Sequence, residues 1–378
     1  MKITIIGAGI GGLTTAIALK QKGFDIEIFE SSTGFKKAGS GINLAINAMQ
    51  VYKRLGLYKK IEKAGSFTNV MNVTDKDLNI ISSVQLEKAT QQFNTKTFAI
   101  HRAILHQILL DKLQGVSIVF NKKLSTLTQK NNKVQLIFED RTKHIASIVI
   151  GADGIHSATR KALFCNTSLR IAKQVCWRGI TTIKLPNSFN YTLHEAWGKG
   201  SRFGFVHVAK DTVYWFALCN YKNNYKAEYS DSNIISYFSD YHPTIKNIIS
   251  STPKDTLIVG EIADLKPIDK WYSNKVCLVG DAAHATTPNM GQGACQAIES
   301  AYVLAQCLST ENDVTQAFEK YQNIRKKIAI NVVKTSWSIG KIAQLNNTFL
   351  IFLRNTVIKM MSKKMMEKKS FTLFKLNY

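Results

Sequence analysis

No stretch of this chain reaches the roughly 20 uninterrupted apolar residues that a helix needs to cross a bilayer. The longest candidate is the opening segment, MKITIIGAGIGGLTTAIAL, and it carries four glycines and three threonines. No membrane-spanning helix is therefore expected. Paired cysteines are missing too. Cys165, Cys176, Cys219, Cys277, Cys295 and Cys307 contain no C-x-x-C pair and no spacing that suggests zinc, so no metal site is expected. Several sit in apolar runs such as KVCLVG and YVLAQCL, where a free thiol behaves as a small hydrophobe. Reduced, buried cysteines in a cytoplasmic protein are the expected state.

Acidic residues are scarce, 26 against 50 basic ones, which leaves a net charge of +24. Such a surplus raises the question of nucleic acid or an anionic membrane surface as partner. The lysines, however, are scattered from Lys2 to Lys375, with no finger spacing and no RNP-like aromatic motif. Nucleic acid is not expected, whereas anionic ligands, including phosphate-bearing cofactors, would be attracted. Internal repeats and low-complexity linkers are absent as well. The 378 residues are enough for one large domain or two intimately joined ones.

What is present begins with strand, turn and helix. KITIIGAG is a short β-branched run ending in glycine, GLTTAIALKQKG follows with helical periodicity, and DIEIFE alternates as a second strand. Strand, helix and strand within about 30 residues make a βαβ unit of a buried parallel sheet. The same opening residues also satisfy the recipe for a secretory signal peptide, so the rest of the chain has to decide. NAMQVYKRLGLYKKIEKAG and AIHRAILHQILLDKLQG predict amphipathic helices, the latter apolar at Ile104, Ile108, Leu109 and Leu113. VSIVF, KVQLIF and ASIVIGADG predict strands. From about Ala172 to Glu261 aromatic strands dominate (CWRGITTI, SRFGFVHV, DTVYWFALC), with AKD turning between the last two. KVCLVGDAAH returns to the buried-strand type, and helices are expected after Gln292.

Three motifs carry chemistry. In the first, Gly7-x-Gly9-x-x-Gly12 joins strand to helix and Glu30 ends the second strand. Gly7 permits the tight turn, Gly9 lets a pyrophosphate approach the backbone, and Gly12 lets the helix pack on the sheet. Glu30 suits both hydroxyls of an adenosine ribose. The second motif is IVIGADGIHSATR, with Asp153 just past a strand and Arg160 about two helical turns on; alone, it reads equally well as an acidic turn capping a helix. The third is VCLVGDAAHATTPNMGQGACQAIESAYVLAQCL, where Asp281 leaves a strand and a Pro288-containing loop leads into Gly291-x-Gly293 and a long helix.

In that order, these motifs resemble those of the single-component FAD-dependent aromatic monooxygenases, the flavoprotein hydroxylases related to para-hydroxybenzoate hydroxylase. The likeness spans roughly residues 1 to 310. It answers the signal-peptide question, because cleavage would leave Asp153 and Asp281 serving half a cofactor site. The implied fold is α/β: a Rossmann-type, glutathione-reductase-like FAD-binding domain, a β-sheet substrate domain and C-terminal helices. The implied boundaries are 1–75, 98–171 and 265–310 for the FAD domain, 76–97 and 172–264 for the substrate domain, and 311–378 for the helical end.

The resemblance implies non-covalent FAD, with NADPH or NADH as a visiting reductant. It implies a flavin hydroperoxide that delivers one atom of O2 to a small aromatic or conjugated substrate. An oxidase or a geranyl-reductase-like enzyme is the alternative, which labelled dioxygen separates, and a non-enzymatic basic binder is the remote one. By position, Glu30 would bind the adenosine ribose and Arg102 would lie beside the phosphates and ribityl chain, with lesser contacts from Asn43 and Leu124. Asp281 would hold the ribityl and pyrophosphate region. Gly291, Gln292, Gly293, Ala294 and Cys295, after Pro288, would lie against the flavin ring, their amides facing the anionic reduced form. Asp153 would serve FAD and the nicotinamide visitor.

Within the family the chain looks most like the branch of the FAD-dependent urate hydroxylase and the zeaxanthin-epoxidase-like proteins. That likeness matches Arg202 and Tyr214 to substrate-contacting positions. Cys176 and Asn289 stand where the urate enzyme has an asparagine and an aspartate, which argues against urate and for a less polar ring. Ser300 stands where many relatives have Asp. Trp177, Trp215 and Phe216 are read equally as core or as pocket lining. The tail, with Arg354, Lys359, Lys363, Lys364, Lys368, Lys369 and Lys375 against Glu367, suits weak contact with an anionic membrane or a helix packed on its own domain. Monomer and homodimer stay open.

Overall fold

The computed structural model describes residues 2–35, 40–165, 167–225, 229 and 231–378; the side chains of residues 231–233, 363–366, 369 and 370, hence of Lys363, Lys364 and Lys369, lie outside that set. Two large sheets organise it. The first has six strands in the order Tyr272–Ser273, Val276–Leu278, Val149–Gly151, Lys2–Ile6, Asp25–Phe29 and Ser117–Val119. All neighbours are parallel except the Tyr272–Ser273 edge. Its strands are short and almost wholly buried, as β-branched runs in a covered parallel sheet should be. The helices Ile10–Gln21 and Gly293–Thr310 pack beside each other on it, close enough that a Cβ on Gly11 would touch Ala297 at 3.5 Å.

The second sheet has seven strands, in the order Ile258–Leu265, Leu169–Thr182, Thr212–Asn220, Ser201–Ala209, Thr192–Trp197, Val70–Asp75 and Ile80–Gln85. Alternation divides its faces. Val175, Trp177, Phe203, Phe205, Val213 and Trp215 enter a core capped by the helix Pro243–Ser250. The pairings Cys176↔Leu218, Arg178↔Phe216 and Gly204↔Phe216 put the intervening residues on the opposite face. Trp177 and Trp215 are thus core, and Phe216 belongs to the other side.

Several expectations need correction. A boundary between residues 75 and 76 would split a hairpin, since Val70–Asp75 pairs with Ile80–Gln85 and lies parallel to Thr192–Trp197. Residues 76–97 do not all follow that sheet either: Leu86 and Ala89, at the start of the helix Glu87–Phe93, are buried in the first domain's core. NAMQVYKRLGLYKKIEKAG is two helices, Ile46–Arg54 and Tyr58–Ala64, broken at Gly56, whose φ of +72° ends the first. AIH is strand, Thr97–His101, and the helix starts only at Arg102, so Ile104 is left exposed. Cys165 is exposed, unlike the other five cysteines, and all six are free.

After Gln292 the chain is helical, as expected: Gly293–Thr310, Val314–Ala343, Thr348–Met360 and Lys363–Phe374. Among the described residues, no helix is long and apolar enough to cross a membrane.

Candidate active site

The three motifs end three adjacent strands. Lys2–Ile6 lies beside Val149–Gly151, which lies beside Val276–Leu278, all parallel. Their loops therefore leave the same edge together, where ligands bind in open α/β sheets. Contacts join them. Gly7, at φ +103°, lies so close to the second turn that a Cβ there would sit 2.5 Å from the Ala152 carbonyl oxygen. Arg160 is buried and donates from Nη1 to the Ala282 carbonyl at 3.0 Å and from Nη2 to Ile155 at 2.6 Å.

The glycines differ in what they avoid. A Cβ on Gly12 would collide with the Gly7 carbonyl, so that glycine is needed by the protein's own packing. A Cβ on Gly9 or on Gly291 would meet no protein atom within 4 Å. Their bare backbone suits a close-lying ligand rather than internal packing. Glu30 accepts from the Ala8 amide at 2.7 Å and the Ser32 amide at 2.9 Å. Burial pushes its carboxyl up, but those amides, with the Ser32 and Ser31 side chains, outweigh burial and hold it below the usual range.

Asp281 is accessible to solvent, yet protein surrounds it on most sides, as expected for a carboxylate lining a cleft. That enclosure pushes its pKa up against the pull of Arg102 and Arg160. Arg102 is exposed, at the first turn of its helix. Asp153 turns inward instead: Ser157 donates to it at 2.5 Å, and the Thr159 amide and hydroxyl at 2.9 and 3.0 Å. It shapes the second loop directly. Leu124 is a core side chain beside Phe29 and Leu127, leaving only its backbone for a ligand.

On the far side of the cleft, Pro288 and Gly291 are exposed, while Gln292 and Cys295 are buried. The Gln292 side chain accepts from Asn47 at 3.0 Å and from Gln296 at 3.2 Å. Cys295, pushed up to about 12 by burial, directs its sulfur toward the Asn43 and Gly291 carbonyls. These two residues, like Gly293 and Ala294, offer a ligand main chain rather than side chain. The Asn43 Oδ1 is buried without a hydrogen-bond partner, an acceptor at the edge of the same loop. Behind it, Glu299 and Arg325 form a buried pair at 2.6 Å. Ser300 accepts or donates at 2.9 Å to His284, whose pKa is depressed to about 3 by burial and the Arg325 charge.

The seven-stranded sheet supplies the other wall. Tyr214 rests against Gly41, where a Cβ would collide with the ring, and Phe216 lies across Gly204 in the same way. Arg178 lies beside Cys176 and Tyr214. Burial raises Tyr214 to about 12 and raises Cys176 as well, so neither ionises at neutral pH. Arg202 is a buried cation rather than an exposed strand charge, and its Nε is without a hydrogen-bond partner. It is 1% exposed, pairs with Glu195 at 2.9 Å and donates to Asn289 Oδ1. Asn289 in turn donates to Thr287 at 2.9 Å and Ser336 at 2.8 Å. Arg178 and Glu195 escaped the sequence reading. Only the strand alternation around CWRG hinted that Arg178 shares a face with Cys176, and its significance depends on the register with Phe216.

The turns, the open glycines and the orphaned acceptor fit a bound dinucleotide. A family model described as FAD binding domain matches residues 1–336. The chain is 33% identical to the aurachin C monooxygenase/isomerase of Stigmatella aurantiaca, over 96% of this chain and 94% of that protein. It is 26% identical to the 2-heptyl-3-hydroxy-4(1H)-quinolone synthase of Pseudomonas aeruginosa, over 98% of each. The crystal structure of Klebsiella pneumoniae HpxO complexed with FAD and uric acid superposes with a TM-score of 0.90 at 25% identity, covering 99% of this chain and 96% of that one.

Proposed function

The chain belongs to the FAD binding domain family of flavoprotein aromatic monooxygenases, and on that premise we propose that it uses NADH or NADPH to place one atom of dioxygen on a ring less polar than a purine, with an alkylated quinolone as the substrate class. FAD is the cofactor. When bound, it would supply electron transfer from a nicotinamide and oxygen activation. The chain's own residues hold and shield the reactants. Glu30, Arg102 and Asp281 are suited to gripping ribose, phosphates and ribityl chain. The amides at the start of the helix Gly293–Thr310 would offer donors to negative charge on the ring, whereas the Gly291 amide already donates to the Pro288 carbonyl at 2.9 Å. Asp153 acts by keeping the second loop in shape beside Gly7.

One observation carries the substrate class: the two side chains that stand in place of the urate enzyme's polar partners have little to offer a purine. Asn289 is held by Thr287, Ser336 and Arg202, and Cys176 is a buried thiol. A purine, with donors and acceptors on every edge, would lose hydrogen bonds to water without replacement, at about 1–3 kcal/mol for each. A 4(1H)-quinolone carries one carbonyl oxygen, for which Arg178 beside Tyr214 is a suitable partner, one ring N–H and an otherwise apolar skeleton. Phe216 and Tyr214 wall the site against water, which oxygen chemistry of this type requires. The P. aeruginosa relative is named for the synthesis of a quinolone.

The test is a screen of substrate-stimulated NADH and NADPH oxidation by the yellow protein, followed by mass spectrometry under labelled dioxygen. Stimulation by 2-alkyl-4(1H)-quinolones with one labelled oxygen in the product is expected, and urate should leave the basal rate unchanged. Stimulation by urate and not by quinolones would refute the substrate class.

A further inference from the structure

The helix Thr348–Met360 turns its apolar side outward. Phe349, Phe352 and Met360 are 70%, 67% and 80% exposed, and Leu350, Leu353 and Val357 are exposed as well. At 100° per residue these positions form one stripe along the helix. A surface helix ordinarily presents that stripe to the core, and a contiguous apolar patch left in water marks an interaction site.

The orientation is fixed from within. Arg354, on the inner side, is 6% exposed and donates from Nη1 to the Ile342 and Ala343 carbonyls at 3.3 and 3.2 Å, at the end of the preceding helix. Its guanidinium lies 5.0 Å from the centre of the Trp197 ring. Asn347 caps the helix through the Leu350 amide at 3.1 Å. Rotating the stripe inward would pull a charged group out of these contacts. The helix is therefore held with its apolar side exposed.

Charge decides the partner. Lys359 flanks the stripe, and Lys341, Lys368 and Lys375 are exposed on the neighbouring segments. After Glu319 the sequence holds one acid, Glu367, and Lys88 already pairs with it at 3.0 Å. A second copy of a chain with 50 basic and 26 acidic residues would bring more lysines than acids to that face. We propose that this face docks on an anionic lipid bilayer, with the apolar stripe in the acyl boundary and the lysines at the headgroups. Thirteen residues span only about 20 Å, short of the roughly 30 Å hydrocarbon layer, so the helix lies in the plane of the surface. Through Arg354 and Trp197 the docked helix adjoins the strand that carries Glu195, the partner of Arg202. The inference does not depend on the quinolone assignment.

The experiment is flotation of the full-length, FAD-loaded protein with vesicles of equal parts phosphatidylglycerol and phosphatidylcholine, against phosphatidylcholine alone. The protein should float with the anionic vesicles, less so at high salt. The variant Phe349→Gln/Phe352→Gln/Met360→Gln should lose about tenfold in partition while keeping its flavin and melting temperature. A second variant, Leu353→Asn/Val357→Asn, serves if the first proves unstable. Wild-type protein that stays at the bottom with anionic vesicles overturns the proposal, as do folded variants that float like the wild type. A wild-type dimer in sedimentation velocity that these substitutions split would also overturn it, because a second copy would then cover the face.

Discussion

Arg160 reaches from the second glycine–acid turn to the Ala282 carbonyl of the third, at 3.0 Å. With Gly7 pressed against Ala152, this contact makes three loops from distant parts of the chain into one edge of one sheet. The consequences can be tested residue by residue.

Gly9 and Gly12 should fail differently. Gly9→Ala adds a methyl that meets no protein atom, so the unfolding free energy of the flavin-free protein should stay within about 0.5 kcal/mol of wild type while FAD affinity falls. Gly12→Ala collides with the Gly7 carbonyl and should destabilise the flavin-free protein itself by about 1–3 kcal/mol. Denaturation with and without FAD distinguishes the two.

Arg202→Met should be costly without touching the flavin. It leaves Glu195 with one partner, Trp197 Nε1 at 3.0 Å, and frees Asn289. Breaking a largely buried pair from one side costs about 3 kcal/mol. Chemical denaturation should show that loss, and FAD content per folded chain should be unchanged.

Gly41→Ala drives a methyl into the Tyr214 ring. On the proposal that Tyr214 contacts the substrate, the expected result is a raised KM, with FAD affinity and the basal NAD(P)H oxidation rate little altered. A change confined to FAD affinity would show that Tyr214 belongs to the cofactor side.

Two buried histidines set an acid limit. Burial depresses His194 to about 4, and burial with the Arg325 charge depresses His284 to about 3. Both fold as the neutral imidazole, whereas the unfolded chain takes up protons below the ordinary value of about 6.5. Their contribution is complete above pH 6.5 and is lost as pH falls through the folded pKa values, about 1.4 kcal/mol per unit for each group. His194 stacks on Phe205 with both ring nitrogens unpartnered. His194→Phe should therefore flatten the fall in melting temperature between pH 6.5 and pH 4.5.

Much of this was legible because local sequence fixes local geometry. KITIIGAG followed by a helix, and Asp153 and Asp281 directly after strands, gave the strand–turn–helix units without any partner in view. Their convergence followed from the resemblance and is seen in the strand order. What escaped depends on long-range pairing. VMNVTD does not announce itself as a strand whose neighbour is Thr192–Trp197, more than a hundred residues on, so the boundary at residue 75 went astray. Arg202 was legible only as a substrate-contacting position by resemblance, because its partners Glu195 and Asn289 arrive from two other elements. The outward stripe of Thr348–Met360 defeats periodicity outright, since the pattern is that of a buried face.

The most direct test of the central claim, that three turns grip one flavin, is the absorbance of purified Glu30→Ala and Asp281→Ala near the flavin maximum, normalised to folded protein by circular dichroism. Both variants should remain folded and lose most of their pigment. Folded variants that retain the full flavin complement would contradict the claim.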